Sequence, residues 1–578
     1  MLYQRILGLM AFVLLPVWGM QAQVRKVKLT LIETTDVHGN YFPYDFINGR
    51  PGKGSMARIS AYMKQLRGGR RESKGIVLLD NGDILQGQPS AYYYNYIDTL
   101  STHLTADVLN YMKYDAATVG NHDVETGHAV YDRWVQQCNF PMLGANVINT
   151  ADDKPYWKPY TIIERQGVKI AVLGMITPCI PKWLPRNLWT GLQFDDLVAT
   201  ARKYMPEMQR EADVVVGLFH SGVGHPKSYT DGCEDGAVAV AQQVPGFDVV
   251  FCGHDHRQAC QQVVNTDGDT VWVLNPAAHA EAVARANMIV TFKGRKVVRK
   301  HTQGRIVNID SLQPDTAYIR HFSQQYEKVK AFTSKVIGHS KHAMQSIPAL
   351  FGSSAFIDFI HQMQLSISGA DISFAAPLAL DAVVPQGDIR VSDMFNLYRY
   401  ENQLYVMNLT GKEVKDYLEY SYALWTNQME SSADNLLLFR PDAQQLTNAW
   451  QRLQNPCYNF DSAMGIHYVV DVTKPAGSKV TITQMADGKP FSLNKTYRCA
   501  LSSYRGNGGG DLLTKGAGIP VSELSKRIVW STDKDLRYYL MMGIERQGTI
   551  DPQPQHTWKF IPEEWVDSAR VKDEYLLK

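Results

Sequence analysis

GIVLLDNGDILQGQPS, residues 75–90, begins as an apolar run and ends in Asp80, Asn81 and Asp83 within a cluster of turn formers. Such a run predicts a strand covered on both faces, as in parallel sheets. In open α/β sheets, ligands bind beyond the carboxyl ends of the strands. A carboxylate at that end either caps the next helix or belongs to a site.

Four other stretches repeat the pattern. VKLTLIETTDVHGN (27–40) ends an alternating strand in Asp36 and His38, and AATVGNHDVETG (116–127) ends a short one in Asn121, His122 and Asp123. ADVVVGLFHSG (212–222) ends in His220, and FDVVFCGHDH (247–256) in His254, Asp255 and His256. A single histidine of this kind is as readily a satisfied core or loop residue. Five strand ends carrying one chemistry point instead to a shared site.

The set mixes imidazole nitrogen with carboxylate and amide oxygen and contains no thiolate, which suits divalent Zn, Mn, Co or Fe. Seven protein ligands are too many for one ion that must also meet a substrate. Two ions about 4 Å apart, as in phosphoryl-transfer sites, fit better. Asp83 is the natural bridge, because its charge lets two dications sit close together.

Outside this region the sequence is ordinary. The 578 residues are 45% hydrophobic and 20% charged, with a net charge of +2, values that suggest two or three globular domains and predict neither nucleic-acid wrapping nor membrane binding. MLYQRILGLMAFVLLPVWGMQAQ (1–23) places Arg5 before an apolar stretch that contains Pro16 and closes near Ala22. That is the layout of a signal peptide; a membrane anchor is the alternative. The seven cysteines form no zinc pattern or disulfide framework. Cys252 and Cys260 either pair or remain two buried thiols. Up to about residue 300, strand-like and helical stretches alternate. Then Pro314 and the helically spaced Ile319, Phe322, Tyr326 and Val329 predict a linker helix.

D-x-H, G-D, G-N-H-D, a lone strand-end histidine and G-H-x-H, in this order, resemble the calcineurin-like metallophosphoesterases. The resemblance implies one metal held by Asp36, His38, Asp83 and His256, and a second by Asp83, Asn121, His220 and His254. It also implies that His122 is the acid, with an acidic neighbour orienting its ring. Both Asp123 and Glu125 are candidates for that neighbour, and position favours Glu125.

The second half, in GADISFAAPL, YNFD (458–461) and YRGNGGGD (504–511), resembles the C-terminal domain of the 5′-nucleotidase superfamily. Within that superfamily the pattern is nearest the periplasmic 2′,3′-cyclic-nucleotide 2′-phosphodiesterase/3′-nucleotidases. FAAPLALD (374–381) lacks the arginine that 5′-nucleotidases carry there. The resemblance implies that Tyr400 and Tyr504 stack on the two faces of a base, a contact that tolerates different bases, and that Asn402 reads an edge.

The expected fold class is therefore α/β and α+β: a signal peptide over 1–23, an N-terminal α/β metallophosphoesterase sandwich over 24–305, a linker helix over 306–340, and a 5′-nucleotidase-type substrate-binding domain over 341–565. The expected enzyme is secreted, periplasmic or extracellular. It takes a small-molecule nucleotide and two divalent metal ions, with no nucleic-acid polymer as partner and no membrane span in the mature chain. Its rivals are a 5′-nucleotidase or nucleotide-sugar hydrolase and, in another class, a non-catalytic nucleotide-binding surface protein.

Overall fold

A computed structural model describes residues 24–69, 73–225, 229–230 and 232–578, so the signal peptide expected over 1–23 lies outside the described residues. Ile76–Asp80 is a strand buried at every position. It lies between Val24–Thr34 and Ala116–Thr118, both parallel to it, and Met142–Leu143 follows in the same direction. A second sheet repeats the plan, with Val168–Ile176, Val214–His220, Val249–Cys252 and Thr270–Asn275 parallel to one another. Each sheet has six strands.

The two sheets face each other. Alternating Leu29, Leu31, Val77 and Leu79 of the first pack against Ile170, Val172, Val216, Leu218 and Phe251 of the second, as the two-residue side-chain period of a strand requires. Helices cover the outer faces. Met56–Arg67 packs on Ile32 and Leu78, and Leu197–Glu211 packs on Val215 and Val250. This is the expected sandwich, and its parallel strands deliver their carboxyl ends to one rim.

The linker is two helices, Thr316–His321 and Ser323–Ser334, rather than one. Asp315 is the N-cap, accepting from the Ala317 N–H and the Ser60 hydroxyl, so Pro314 stands one residue outside the helix. The break falls at Phe322, whose ring is buried against Tyr318. Beyond it, the second half builds a five-stranded sheet in the order Ser462–Met464, Ile372–Ala375, Thr496–Ser502, Gln403–Thr410, Ile528–Asp535, with Ala355–Ser368 and Gly411–Trp425 packed on it.

The two halves share apolar surface. Tyr92, on the first half's Pro89–Tyr92 helix, is buried in the second half's core, with its ring 5.4 Å from Phe395. Its hydroxyl donates to Asp535 (3.2 Å), and the Tyr96 hydroxyl donates to Glu401 (3.1 Å). Arg537 lies over both Tyr92 and Phe395.

Cys252 is buried, whereas Cys260 is exposed and both thiols are free. Neither the pairing nor the two buried thiols allowed by the sequence is found, because Cys260 belongs to the solvent-facing edge strand Ala259–Val264. Among the described residues no helix is long and apolar enough to cross a membrane.

Candidate active site

Every predicted ligand sits at the end of a parallel strand or in the loop or helical turn that follows it, and the sandwich brings all seven together. His38 Nε2 is 2.9 Å from His256 Nε2, which is 3.3 Å from Asp36 Oδ1. His220 Nε2 lies 3.1 Å from Asp83 Oδ2 and 3.1 Å from Asn121 Oδ1, and the same amide oxygen is 2.8 Å from His254 Nδ1. Asp36, His38 and His256 form one cluster of potential donor atoms, and Asp83, His220 and His254 another.

The backbone is held in unusual geometry to achieve this. Asp36, His38, Asp83, His254 and His256 all have positive φ, between 48° and 73°. Non-glycine residues rarely occupy this region, and strain of this kind persists where the surrounding structure over-determines it. Gly120 makes room for the convergence: a Cβ there would lie 2.1 Å from Asp83 Oδ1.

Backbone carbonyls orient the rings. His38 Nδ1 faces Gln86 O at 3.1 Å and His220 Nδ1 faces Asn81 O at 2.7 Å, so each neutral ring spends its proton there and aims the Nε2 lone pair inward. Asp83 Oδ2 is buried and accepts no hydrogen bond. His220 Nε2 is its nearest ionisable partner, but with the proton on Nδ1 two lone pairs face each other. Burial opposes charge on His220, but Asp83 outweighs it and, with no ion between them, lifts the ring to about 9, so that a second proton on Nε2 takes the place a dication would fill. Nitrogen and oxygen donors that face one another across a shared gap fit divalent metal ions.

His122 follows Asn121 on the short helix Asn121–Val124. Its Nδ1 is 2.6 Å from Glu125 Oε2, a pairing that the i,i+3 spacing of a helical turn permits. Burial would lower its pKa, but the carboxylates of Asp83 and Glu125 outweigh that and hold it at about 10. Asp123 does not reach the ring. Its carboxylate is buried and accepts the backbone N–H groups of Asp83, Ile84, Leu85 and Gly120, so it ties the Asp83 loop to the Asn121 helix.

The residues expected to bind substrate share a cavity with this cluster. A space of about 280 Å³ is lined by Asn121, His122, Glu125, Trp183 and His254 from the first half. Tyr398, Tyr400, Asn402, Tyr458, Tyr504 and Arg505 line it from the second. The Tyr400 ring lies within 8° of parallel to His122 at 6.4 Å. Tyr458 stands edge-on to both Tyr400 and Tyr504, 6.4 Å from each.

Arg505 supports this wall. It donates to both oxygens of Asp461 and to the carbonyls of Tyr458 and Gly509. The Gly-rich stretch is thus a close-packed support: a Cβ on Gly509 would meet the Tyr504 ring at 2.5 Å.

The sequence reading did not single out Trp183, Glu234, His279, Tyr458 or Arg505. Tyr458 and Arg505 stand inside YNFD and YRGNGGGD, and those two motifs were the available signal. His279 approaches His38 and His256 at 5.6 and 5.8 Å between ring centroids, and Trp183 stacks on His254 at 5.5 Å. No periodicity marks these two.

Comparison with known proteins agrees with the geometry. Residues 29–258 match the family model for calcineurin-like phosphoesterases, and residues 336–515 match that for the 5′-nucleotidase C-terminal domain. The chain is 27% identical to the trifunctional nucleotide phosphoesterase protein YfkN of Bacillus subtilis, over 95% of its own length and 40% of that protein's. It is also 27% identical to the 2′,3′-cyclic-nucleotide 2′-phosphodiesterase/3′-nucleotidase of Haemophilus influenzae, over 95% and 90% of the two chains. A crystal structure of a putative 5′-nucleotidase from Staphylococcus aureus shares the fold, with a TM-score of 0.75 at 20% identity, covering 92% of this chain and all of that one. With both halves matched in order, and the metal-fitting cluster at the strand ends of the first, the chain carries a calcineurin-like phosphoesterase domain followed by a 5′-nucleotidase C-terminal domain, and it is a hydrolytic enzyme.

Proposed function

We propose that the protein is a dinuclear 2′,3′-cyclic-nucleotide 2′-phosphodiesterase with 3′-nucleotidase activity, exported to the periplasm by its leader. The observation that carries this reading is a shared cavity, lined by Asn121 and His254 of the metal-fitting cluster, by His122, and by the tyrosines of the second half. Asp36, His38, Asp83 and His256 would hold one ion, and Asp83, Asn121, His220 and His254 the other, each being Zn, Mn, Co or Fe. Such a pair, when bound, makes water a stronger nucleophile at neutral pH and neutralises phosphoryl oxygens.

The chain's own groups supply the rest. Glu125 fixes the His122 proton at Nδ1 and stabilises the charged ring, leaving Nε2–H to protonate the departing ribose oxygen. Tyr400 and Tyr504 grip the base, Asn402 reads its edge, and Arg505 keeps the Tyr504 and Tyr458 loops in place. The base site lies beside His122, so the ribose of a gripped nucleotide is delivered to the acid.

Product release from 2′,3′-cyclic AMP, 3′-AMP and 5′-AMP by metal-reconstituted protein tests the reading. The first two are expected to be turned over well above the third. Preference for 5′-AMP would replace it with a 5′-nucleotidase, and no turnover of any, with metals bound, would leave a binding protein.

A further inference from the structure

Glu234 belongs to none of the roles above, yet its carboxylate lies 2.9 Å from His254 Nε2. It also lines the cavity. The other nitrogen of that ring, Nδ1, points at Asn121 Oδ1 (2.8 Å) and clusters with Asp83 and His220. The imidazole is therefore gripped on three sides: Glu234 at one edge, the cluster at the other, and the Trp183 ring across its face at 24°.

The backbone of Glu234 is anchored to the segment that follows His220. The Ser221 hydroxyl donates to the Glu234 carbonyl (2.8 Å) and accepts the Gly236 N–H (2.9 Å). The Gly222 N–H is bound by Asp235 (3.0 Å). These contacts fix the Glu234 backbone relative to the strand end that carries His220.

Building on the metal reading above, we propose that Glu234 is a positioning residue: it accepts the Nε2–H of His254, which leaves the Nδ1 lone pair for the ion shared with Asp83, Asn121 and His220. Partners of this kind fix the tautomer and orientation of a ligating imidazole, and their loss typically costs about 10- to 100-fold in metal affinity. Only an acceptor is needed at this point. Glutamine, whose Oε1 accepts equally well, can replace the carboxylate, whereas alanine cannot. The Glu234 side chain is 49% exposed, so truncation opens no core cavity.

Titration of the metal-free protein with Zn²⁺ against a chromophoric chelator tests this. The unsubstituted protein is expected to bind two ions. Glu234→Ala should weaken one of the two by roughly 10- to 100-fold and leave the other unchanged, while Glu234→Gln stays close to the parent. The metal-free melting temperature should be the same in all three. If the parent bound no zinc, the metal reading itself would fall. Two ions of unaltered affinity in Glu234→Ala would overturn the positioning role alone. So would a Glu234→Gln as weak as Glu234→Ala, which would make the carboxylate a direct ligand, and so would a lowered metal-free melting temperature in Glu234→Ala, which would make it a support of the loop.

Discussion

Asp123 and Glu125 share one helical turn but serve different partners: Glu125 Oε2 meets His122 Nδ1 at 2.6 Å, while the Asp123 carboxylate accepts four backbone N–H groups. Two acids that were both candidates in the sequence, with position favouring Glu125, are thereby separated into one facing chemistry and one facing the fold.

The two should separate in the laboratory. His122→Ala is expected to keep its metals and lose about 10²-fold or more in kcat, with Glu125→Gln showing a smaller loss in the same direction. Asp123→Asn instead places an amide among N–H donors, and should cost about 1–3 kcal/mol of stability. Steady-state kinetics, metal analysis and thermal melts of the three variants decide the matter. An Asp123→Asn that melts normally but loses more kcat than Glu125→Gln would reverse the assignment.

Asp83 stands with His220 and His254 in one donor cluster, and the proposed bridging role would have it serve the neighbouring ion as well. Its Oδ1 accepts the His122 N–H at 2.8 Å, and its buried Oδ2 has no hydrogen-bond donor. Asp83→Ala is expected to lose both ions, because two dications without a carboxylate between them repel each other, whereas His38→Ala mainly weakens one. The metal content of purified variants checks this. About two ions per chain in Asp83→Ala would exclude a bridging role.

Replacing Tyr400 or Tyr504 with alanine should cost about 1–3 kcal/mol of nucleotide binding, roughly a 5- to 150-fold rise in KM, with metals retained. The double variant should fall short of the sum, since a base gripped on one face is already poorly placed. Bis-p-nitrophenyl phosphate has no base and should be hydrolysed almost as before. Equal losses on both substrates would reduce the tyrosines to structural packing.

His361 offers a test by pH away from the active site. Its ring is buried between the hydroxyls of Ser373 (2.9 Å) and Ser462 (3.1 Å), and burial pushes its pKa down to about 3. The unfolded chain takes up this proton near the ordinary value of about 6.5, well before the folded one does. The contribution is therefore fully present above about pH 6.5, and it erodes by roughly 1.4 kcal/mol per pH unit as pH falls towards the folded value. Urea unfolding of metal-free protein between neutral and acidic pH, compared with His361→Gln, should show a shallower pH slope in the variant. Identical slopes would mean that His361 is protonated in the native state.

The sandwich and its metal-fitting rim were legible because parallel strands advertise themselves twice. The strand Ile76–Asp80 is apolar up to its last residue, and a polar Asp or His at the end of such a run has no packing reason to be there. The same logic could not reach Glu234, in a loop, or Trp183, at the end of the single-turn helix Ile180–Trp183, because their place is set by tertiary contacts rather than by any period. Helical spacing identified Phe322 and Val329 as inward-facing in the linker. It gave no sign that the chain breaks at Phe322, because a break that keeps the apolar face in line leaves the period intact. Cys260 was misplaced because nothing in its neighbourhood announces an edge strand.

The burial of Tyr92 in the far half's core bears on modularity. A fragment ending before the linker would lift Tyr92 and Tyr96 out of that core into water, away from Phe395 and Glu401, and a fresh aromatic patch of this kind invites self-association. Transplanting the phosphoesterase half alone would call for polar substitutions at these two tyrosines, so the unit that can be moved as it stands is the pair of halves together.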